Sequence, residues 1–249
     1  MTHLANENSD EGLKIIHDNF GKTKKIKEGL TFNIIDSPNE YQKLLKLRKI
    51  SYQKKGKLTQ LTKPEDFGKG LENEGVLIAG YLGGRLICGA EIRHINEQSF
   101  WCEEFIKKND HAKADFEQHS IEINRVIVHP DLQSTDIILG LFQRIHAYVM
   151  SLEVLPTVYL SATDKLKKLY FRLGAKEMKI RFAHPTIPGE YLNVMKIPVD
   201  VYAGASGINP IAWKMVYETT VNYYQSIGLS KDRRTKRHWA IFKILNCLY

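Results

Sequence analysis

The stretch 121–150 constrains the fold of this chain more than any other. Ile121 and Ile123 alternate with Glu122 and Asn124, the period of a half-buried strand. Arg125 follows Asn124 directly, and the apolar phase restarts at Val126 and Val128. Two adjacent polar residues in such a strand predict a bulge that re-aims a side chain or a backbone N–H. Pro130 ends the strand, having no N–H to give to a ladder. The Ser134-Thr135-Asp136 cluster suits a helix start. Behind it Ile138, Leu141, Phe142, Ile145 and Val149 recur at helical spacing. A bulged strand leading into a helix N-terminus can hold a thioester and the phosphate of its carrier.

Elements on either side can extend this unit into a sheet. Leu30–Ile35 reads as a first strand. Ser37-Pro38-Asn39-Glu40 opens a helix with the stripe Tyr41, Leu44, Leu45, Leu47 and Tyr52. The charged stretch 53–74 has no period and reads as a loop. Val76–Tyr81 and Leu86–His94 flank Leu82-Gly83-Gly84-Arg85, a hairpin signal. Phe100, Trp101 and Phe105 mark a helical excursion within 95–119. After the central unit come a strand at Val158–Leu160 and a helix at Asp164–Leu173, closed by Gly174. Strands at Met178–Phe182 and Tyr191–Ile197 follow. A late helix over 209–227 carries Trp213, Val216, Tyr217 and Tyr224. This order predicts an α/β (α+β) chain in three parts: a mobile polar segment at 1–29, a main domain at 30–198 and a helical, basic C-terminal extension at 199–249.

The formal net charge of +8 and pI of about 9.2 favour an acidic partner. Cys88, Cys102 and Cys247 are too few and too scattered for a disulfide framework or a paired metal site. His94, His111, His119, His129 and His146 show no ligand spacing, so no metal is expected. No secretory apolar region opens the chain and no run is long enough to span a bilayer, so a cytoplasmic location is expected. No helix-turn-helix or zinc-finger pattern points to nucleic acid.

Three stretches resemble the GNAT acyltransferase superfamily over roughly 30–198. They are Arg125-Val-Ile-Val-His-Pro-Asp-Leu-Gln133 leading into its helix, Lys168-Leu-Tyr170-Phe-Arg-Leu-Gly174-Ala, and the hairpin end Gly89-Ala-Glu91-Ile-Arg93. Leu47-Arg48 with Tyr52, Glu91-Ile-Arg93, Glu122-Ile-Asn-Arg125 and Tyr159-Leu-Ser161-Ala are similar to the branch that holds the N-acyl amino acid synthases and acyl-homoserine lactone synthases. The resemblance implies a mixed, mostly antiparallel sheet flanked by helices, with two central parallel strands splayed around a thioester. It also implies transfer of a fatty acyl group from acyl carrier protein to the amine of an amino acid or similar small molecule. The alternatives are an acetyl-coenzyme A-dependent N-acetyltransferase and a non-catalytic acyl-amine-binding protein.

Amide formation from a thioester needs a base, a polarised carbonyl and a proton for the thiolate. On this resemblance Glu122 is the base and Tyr170 the acid. Arg125 and Arg93 hold an acceptor carboxylate or organise Glu122, and Arg48 and Ser161 are further substrate contacts. Each has a plainer alternative: Glu122 paired with Arg93 or Arg125, Tyr170 packed in the core, Arg48 solvated, Ser161 or Thr163 capping a helix. Backbone N–H groups at Val126, Ile127 and Val128, with Gln133, Ser134 and Thr135, would meet the donor. The family's coenzyme A turn is usually Arg/Gln-x-x-Gly-x-Gly/Ala. Here Gln133-Ser-Thr-Asp136-Ile-Ile138 lacks both small residues. Without glycine the backbone cannot approach a phosphate closely, and Asp136 repels anions. That favours an acyl-phosphopantetheine donor on acyl carrier protein, with no tightly bound cofactor. The basic tail can contact the acidic carrier or an anionic membrane surface.

Overall fold

The computed structural model describes residues 29–54, 68, 70–95, 102, 116–132, 135–184, 189–218 and 221. The segment 1–28, the aromatics Phe100, Trp101 and Phe105, and the basic tail lie outside them. Strand β1 (Leu30–Ile34) leads to helix α1 (Pro38–Lys54). The Ser37 hydroxyl caps α1 by accepting the Glu40 N–H at 3.3 Å. Strands β2 (Val76–Leu82) and β3 (Arg85–His94) form the expected hairpin. Gly83 and Gly84 turn it with φ of 57° and 76°, which match the twist of the flanking strands. Strand β4 (Ser120–Val128), helix α2 (Thr135–Ser151) and strand β5 (Thr157–Ala162) make the central unit. Helix α3 (Asp164–Arg172), strands β6 (Lys176–Ala183) and β7 (Tyr191–Ile197), and short helices α4 (Val199–Tyr202) and α5 (Pro210–Val216) complete the described chain.

The strands form one sheet in the order β1-β2-β3-β4-β5-β7-β6. Among the described strands, only β4 and β5 run parallel. Their pairing runs from Ser120 opposite Thr157 to Ile123 opposite Leu160 and stops there. From Asn124 onward β4 is bonded to β3 alone, so the two strands part. The expected bulge sits at this point. Glu91 pairs with Asn124 and Gly89 with Ile127, leaving Arg125 and Val126 against Ala90. Arg125 takes φ 50°, the left-handed region, which costs a non-glycine residue about 1–2 kcal/mol. The bulge bends β4 away from β5.

Alternation along the strands gives the sheet two different faces. Ile121, Val158, Leu160 and Met195 pack under α2, together with Tyr170 and Leu173 from the end of α3. Val201, Tyr202, Trp213, Val216 and Tyr217 belong to this same core, so α4 and α5 are packed on the sheet. On the opposite face α1 covers Leu77, Ala79, Leu86 and Ile127. Tyr159, Phe182 and Val194 form a smaller cluster there with Cys102. Glu91, Arg93, Glu122 and Asn124 are delivered to this second face. Gly174 ends α3 at φ 84°, and its N–H donates to the Phe171 carbonyl at 3.0 Å. A methyl group there would lie 2.2 Å from Val201 Cγ1, so glycine also allows α3 to meet α4.

Candidate active site

Four buried charged side chains and the part-buried Arg125 alternate in sign beneath α1. Glu74 follows a short 3-10 turn (Leu71–Asn73). Its Oε1 accepts from the Tyr41 hydroxyl at 3.0 Å, Arg48 Nη1 at 3.1 Å and Arg125 Nη1 at 2.6 Å. Its Oε2 accepts from Arg48 Nη2 at 2.9 Å. Glu91 Oε1 accepts from Arg93 Nε at 2.7 Å and from the Gly75 N–H at 3.2 Å, and Oε2 lies 3.4 Å from Arg125 Nη1. The order is therefore Arg48–Glu74–Arg125–Glu91–Arg93. A methyl group on Gly75 would lie 2.0 Å from the Ile92 carbonyl oxygen, so only glycine lets Glu74 sit this close to β3.

Burial alone would raise the Glu74 carboxyl. Hydrogen bonds and charge from Arg48, then the charge of Arg125, outweigh it and hold the group at about 2. Burial disfavours the charged form of Arg125, but Glu91 and Glu74 beside it raise its pKa. The network thus has a use for the strained backbone at Arg125, because the bulge turns that guanidinium between two carboxylates. Arg48, for which solvation was the plain alternative, is 1% exposed and clamped on Glu74.

Glu122 lies on the same face and is fully buried. Its Oε1 accepts the Cys102 N–H at 3.1 Å and its Oε2 the Asn124 Nδ2–H at 3.4 Å. Register sets it opposite Arg93. The arginines nevertheless turn to Glu91 and Glu74, so the ion pair considered for Glu122 is not the one they form. Arg93 keeps a buried Nη2 with no hydrogen-bond partner among the described residues. The Oγ of Ser161, the next-to-last residue of β5, is also buried and has no hydrogen-bond partner among the described residues. Thr163 occupies the N-cap of α3, yet no side chain caps that helix, so the capping alternative fails for both residues.

Tyr170 lies on the opposite face of the sheet, edge-on to Phe142 with ring centroids 6.2 Å apart. No hydrogen bond reaches its hydroxyl among the described residues, and burial pushes that phenol up to about 12. It borders a cavity of about 40 Å³ whose wall includes Ile123 and Leu160, the last paired rung before β4 and β5 part. On the strand itself, the His129 N–H donates to the Ile87 carbonyl at 2.7 Å. Two-residue alternation then turns the Ile127 N–H toward β3 and the Val128 N–H toward the gap. Gln133 and Ser134, and the side chains of Thr135 and Asp136, lie outside the described residues.

The structure thus gathers Arg48, Arg93, Arg125 and Glu122 on one face and sets Tyr170 on the other. Sequence reasoning gave no role to Glu74 or Asn124, and none to Glu91 beyond its place in a motif. Glu91 had a signal, since it interrupts an otherwise apolar strand two residues before Arg93. Glu74 had none, because it ends a stretch without periodicity.

No family model matches the chain, and no curated protein matches it in sequence. Solved structures do match. FeeM, an N-acyl amino acid synthase from uncultured soil microbes, superposes with a TM-score of 0.53 at 16% identity, covering 70% of this chain and 93% of its own. BjaI, a CoA-dependent acyl-homoserine lactone synthase, gives 0.51 at 11% identity, covering 84% and 99%. An acyl-CoA N-acyltransferase from Pseudomonas aeruginosa gives 0.50 at 16% identity, covering 68% and 99%. At these identities the likeness is one of fold: a mixed seven-stranded sheet flanked by helices, with β4 and β5 parallel, is the fold of the GNAT acyltransferases.

Proposed function

We propose that the protein is an N-acyltransferase that moves a fatty acyl group from acyl carrier protein to the amine of an amino acid or similar small molecule. One observation carries this reading: β4 and β5 part after Ile123 and Leu160, with Glu122, one residue before the parting, on one face of the sheet and Tyr170 on the other. A thioester lying in the gap meets a base on one side and a proton donor on the other. Glu122 takes the proton of the incoming ammonium, directly or through water. The freed nitrogen attacks the carbonyl carbon, the C–N bond forms, and the Val128 N–H stabilises the developing oxyanion. The C–S bond then breaks, the sulfur takes the Tyr170 proton and leaves as the thiol, the nitrogen sheds its remaining extra proton through water to the tyrosinate, and Glu122 returns its proton to solvent. A phenol at about 12 gives up its proton to an ordinary thiolate only uphill. Tyr170 therefore acts once the thiolate is desolvated in the same apolar cavity. The open Nη2 of Arg93 supplies a buried donor for an acceptor carboxylate.

The choice of donor rests on Asp136 and on charge. A negative residue in the phosphate-binding turn and a net charge of +8 favour an acidic carrier protein over coenzyme A. The coenzyme A reading is favoured instead by the names of two of the similar structures. Steady-state turnover with both donors at matched chain length separates them. The carrier-protein thioester should be the better donor, with an apparent affinity that falls as salt rises. Asp136→Gly should narrow the gap by improving the coenzyme A reaction. Equal or better turnover with the coenzyme A thioester contradicts the carrier-protein assignment.

A further inference from the structure

The cavity beside Tyr170 has an apolar wall with one unusual member. His146 is 4% exposed, and neither of its ring nitrogens has a hydrogen-bond partner among the described residues. The other hydroxyls on the same wall, except that of Tyr170, are occupied. Tyr202 donates to the Pro156 carbonyl at 2.7 Å and Tyr217 to the Leu173 carbonyl at 2.9 Å. Both rings pack edge-on against the imidazole, with centroids 5.7 and 4.7 Å away, and so fix its orientation. Phe142, Ile145, Val149, Val158 and Ile197 complete an apolar lining. Burial pushes the imidazole down to about 3, so it is neutral and offers one N–H donor and one acceptor. A buried polar side chain left unsatisfied normally destabilises a fold, and an apolar residue of similar size would remove that cost. Leucine would serve the core better than this histidine does, so its polar atoms call for a ligand.

We propose that this cavity receives the first few carbons of the donor's acyl chain and that His146 selects chains carrying a hydrogen-bonding oxygen, a hydroxyl or a keto group, at that level. The proposal rests on the acyl-donor reading above and adds the class of acyl group. Phe142 touches Tyr170, and His146 lies one helical turn beyond Phe142 on the same face of α2. A chain whose sulfur sits at Tyr170 therefore passes His146 a few carbons further on. A chain with an oxygen at that level satisfies the imidazole, whereas a plain chain leaves it buried and unpaired. That is the condition under which a polar pocket discriminates against an apolar analogue.

The test is turnover of thioesters of matched length, on whichever carrier the enzyme prefers, unsubstituted or bearing one hydroxyl at successive carbons. The parent should favour one hydroxyl position by about tenfold in kcat/KM over the plain chain. His146→Leu should abolish that ratio or invert it, and His146→Gln, which keeps a donor and an acceptor, should retain part of it. The same ratio in all three proteins overturns the proposal, and is the result expected if a water molecule alone pairs with His146. Calorimetric binding of plain and hydroxylated free fatty acids separates this failure from that of the acyltransferase reading. A preference for the hydroxylated acid that His146→Leu removes supports the cavity assignment even where no donor turns over. Equal binding of the two acids, or no binding, overturns it.

Discussion

Glu74→Ala is expected to cost about 3–5 kcal/mol of folding stability, because removing one partner of a buried ion pair leaves the other charge without compensation. Here Arg48 loses the carboxylate it clamps, and Arg125 is left with its longer contact to Glu91. Arg48 is 1% exposed and directs both Nη groups at Glu74, and Arg125 makes its shortest contact there. Glu74→Gln should cost less, since an amide keeps part of the hydrogen bonding. The pH dependence follows from the direction of the shift. A Glu74 carboxyl held at about 2 in the fold, against about 4.3 in an unfolded chain, favours the folded state while it is ionised. Its contribution is fully present above about pH 4.3 and is lost as pH falls toward 2. Urea unfolding of parent and Glu74→Gln from neutral to acid pH should therefore show curves that converge below pH 4. Parallel curves, or a negligible cost for Glu74→Ala at neutral pH, contradict the network as described.

Tyr170→Phe is expected to lower kcat by about a hundredfold or more, the usual range for loss of a positioned proton donor, with little change in KM. Folding should be unaffected or slightly improved, because the hydroxyl has no hydrogen-bond partner among the described residues to lose. The edge-on contact with Phe142 survives the change. This combination separates the two roles considered for Tyr170. A packing residue would give parental turnover with the phenylalanine in place, whereas a proton donor gives a folded, slow enzyme. Turnover at the parent rate removes Tyr170 from the chemistry.

Much of this architecture is legible along the chain, and the parts that are not share a cause. The Gly83-Gly84 turn, the Ser37 cap, the Gly174 helix end and the bulge at Arg125 each depend on a few neighbouring residues. Local chemistry decides them, and the structure bears them out. The buried charges depend on partners far away in sequence. Arg48 and Glu74 are 26 residues apart, and Glu74 and Arg125 are 51 apart. A helix arginine next to lysines reads as solvated until the carboxylate that desolvates it is known. Strand β6 is longer than the stretch Met178–Phe182, running Lys176–Ala183 with a bulge at Lys179, φ 60°. Its alternating lysines and arginine hide the period. His146 was weighed only as a metal ligand. Its lack of a hydrogen-bond partner among the described residues became visible once α2, α4 and the end of α3 enclosed it.

The central claim is that the splay of β4 and β5 is a site of amide formation with Glu122 as base. Comparative lipid mass spectrometry tests it directly, in cells making the protein and in cells making a folded Glu122→Gln variant at the same level. The account predicts new N-acylated amines in the first population. They should be absent or strongly reduced in the second, because a neutral amide cannot take the proton from the incoming ammonium. Lipid profiles without new acyl amides in either population, or with the same amides in both, would contradict it.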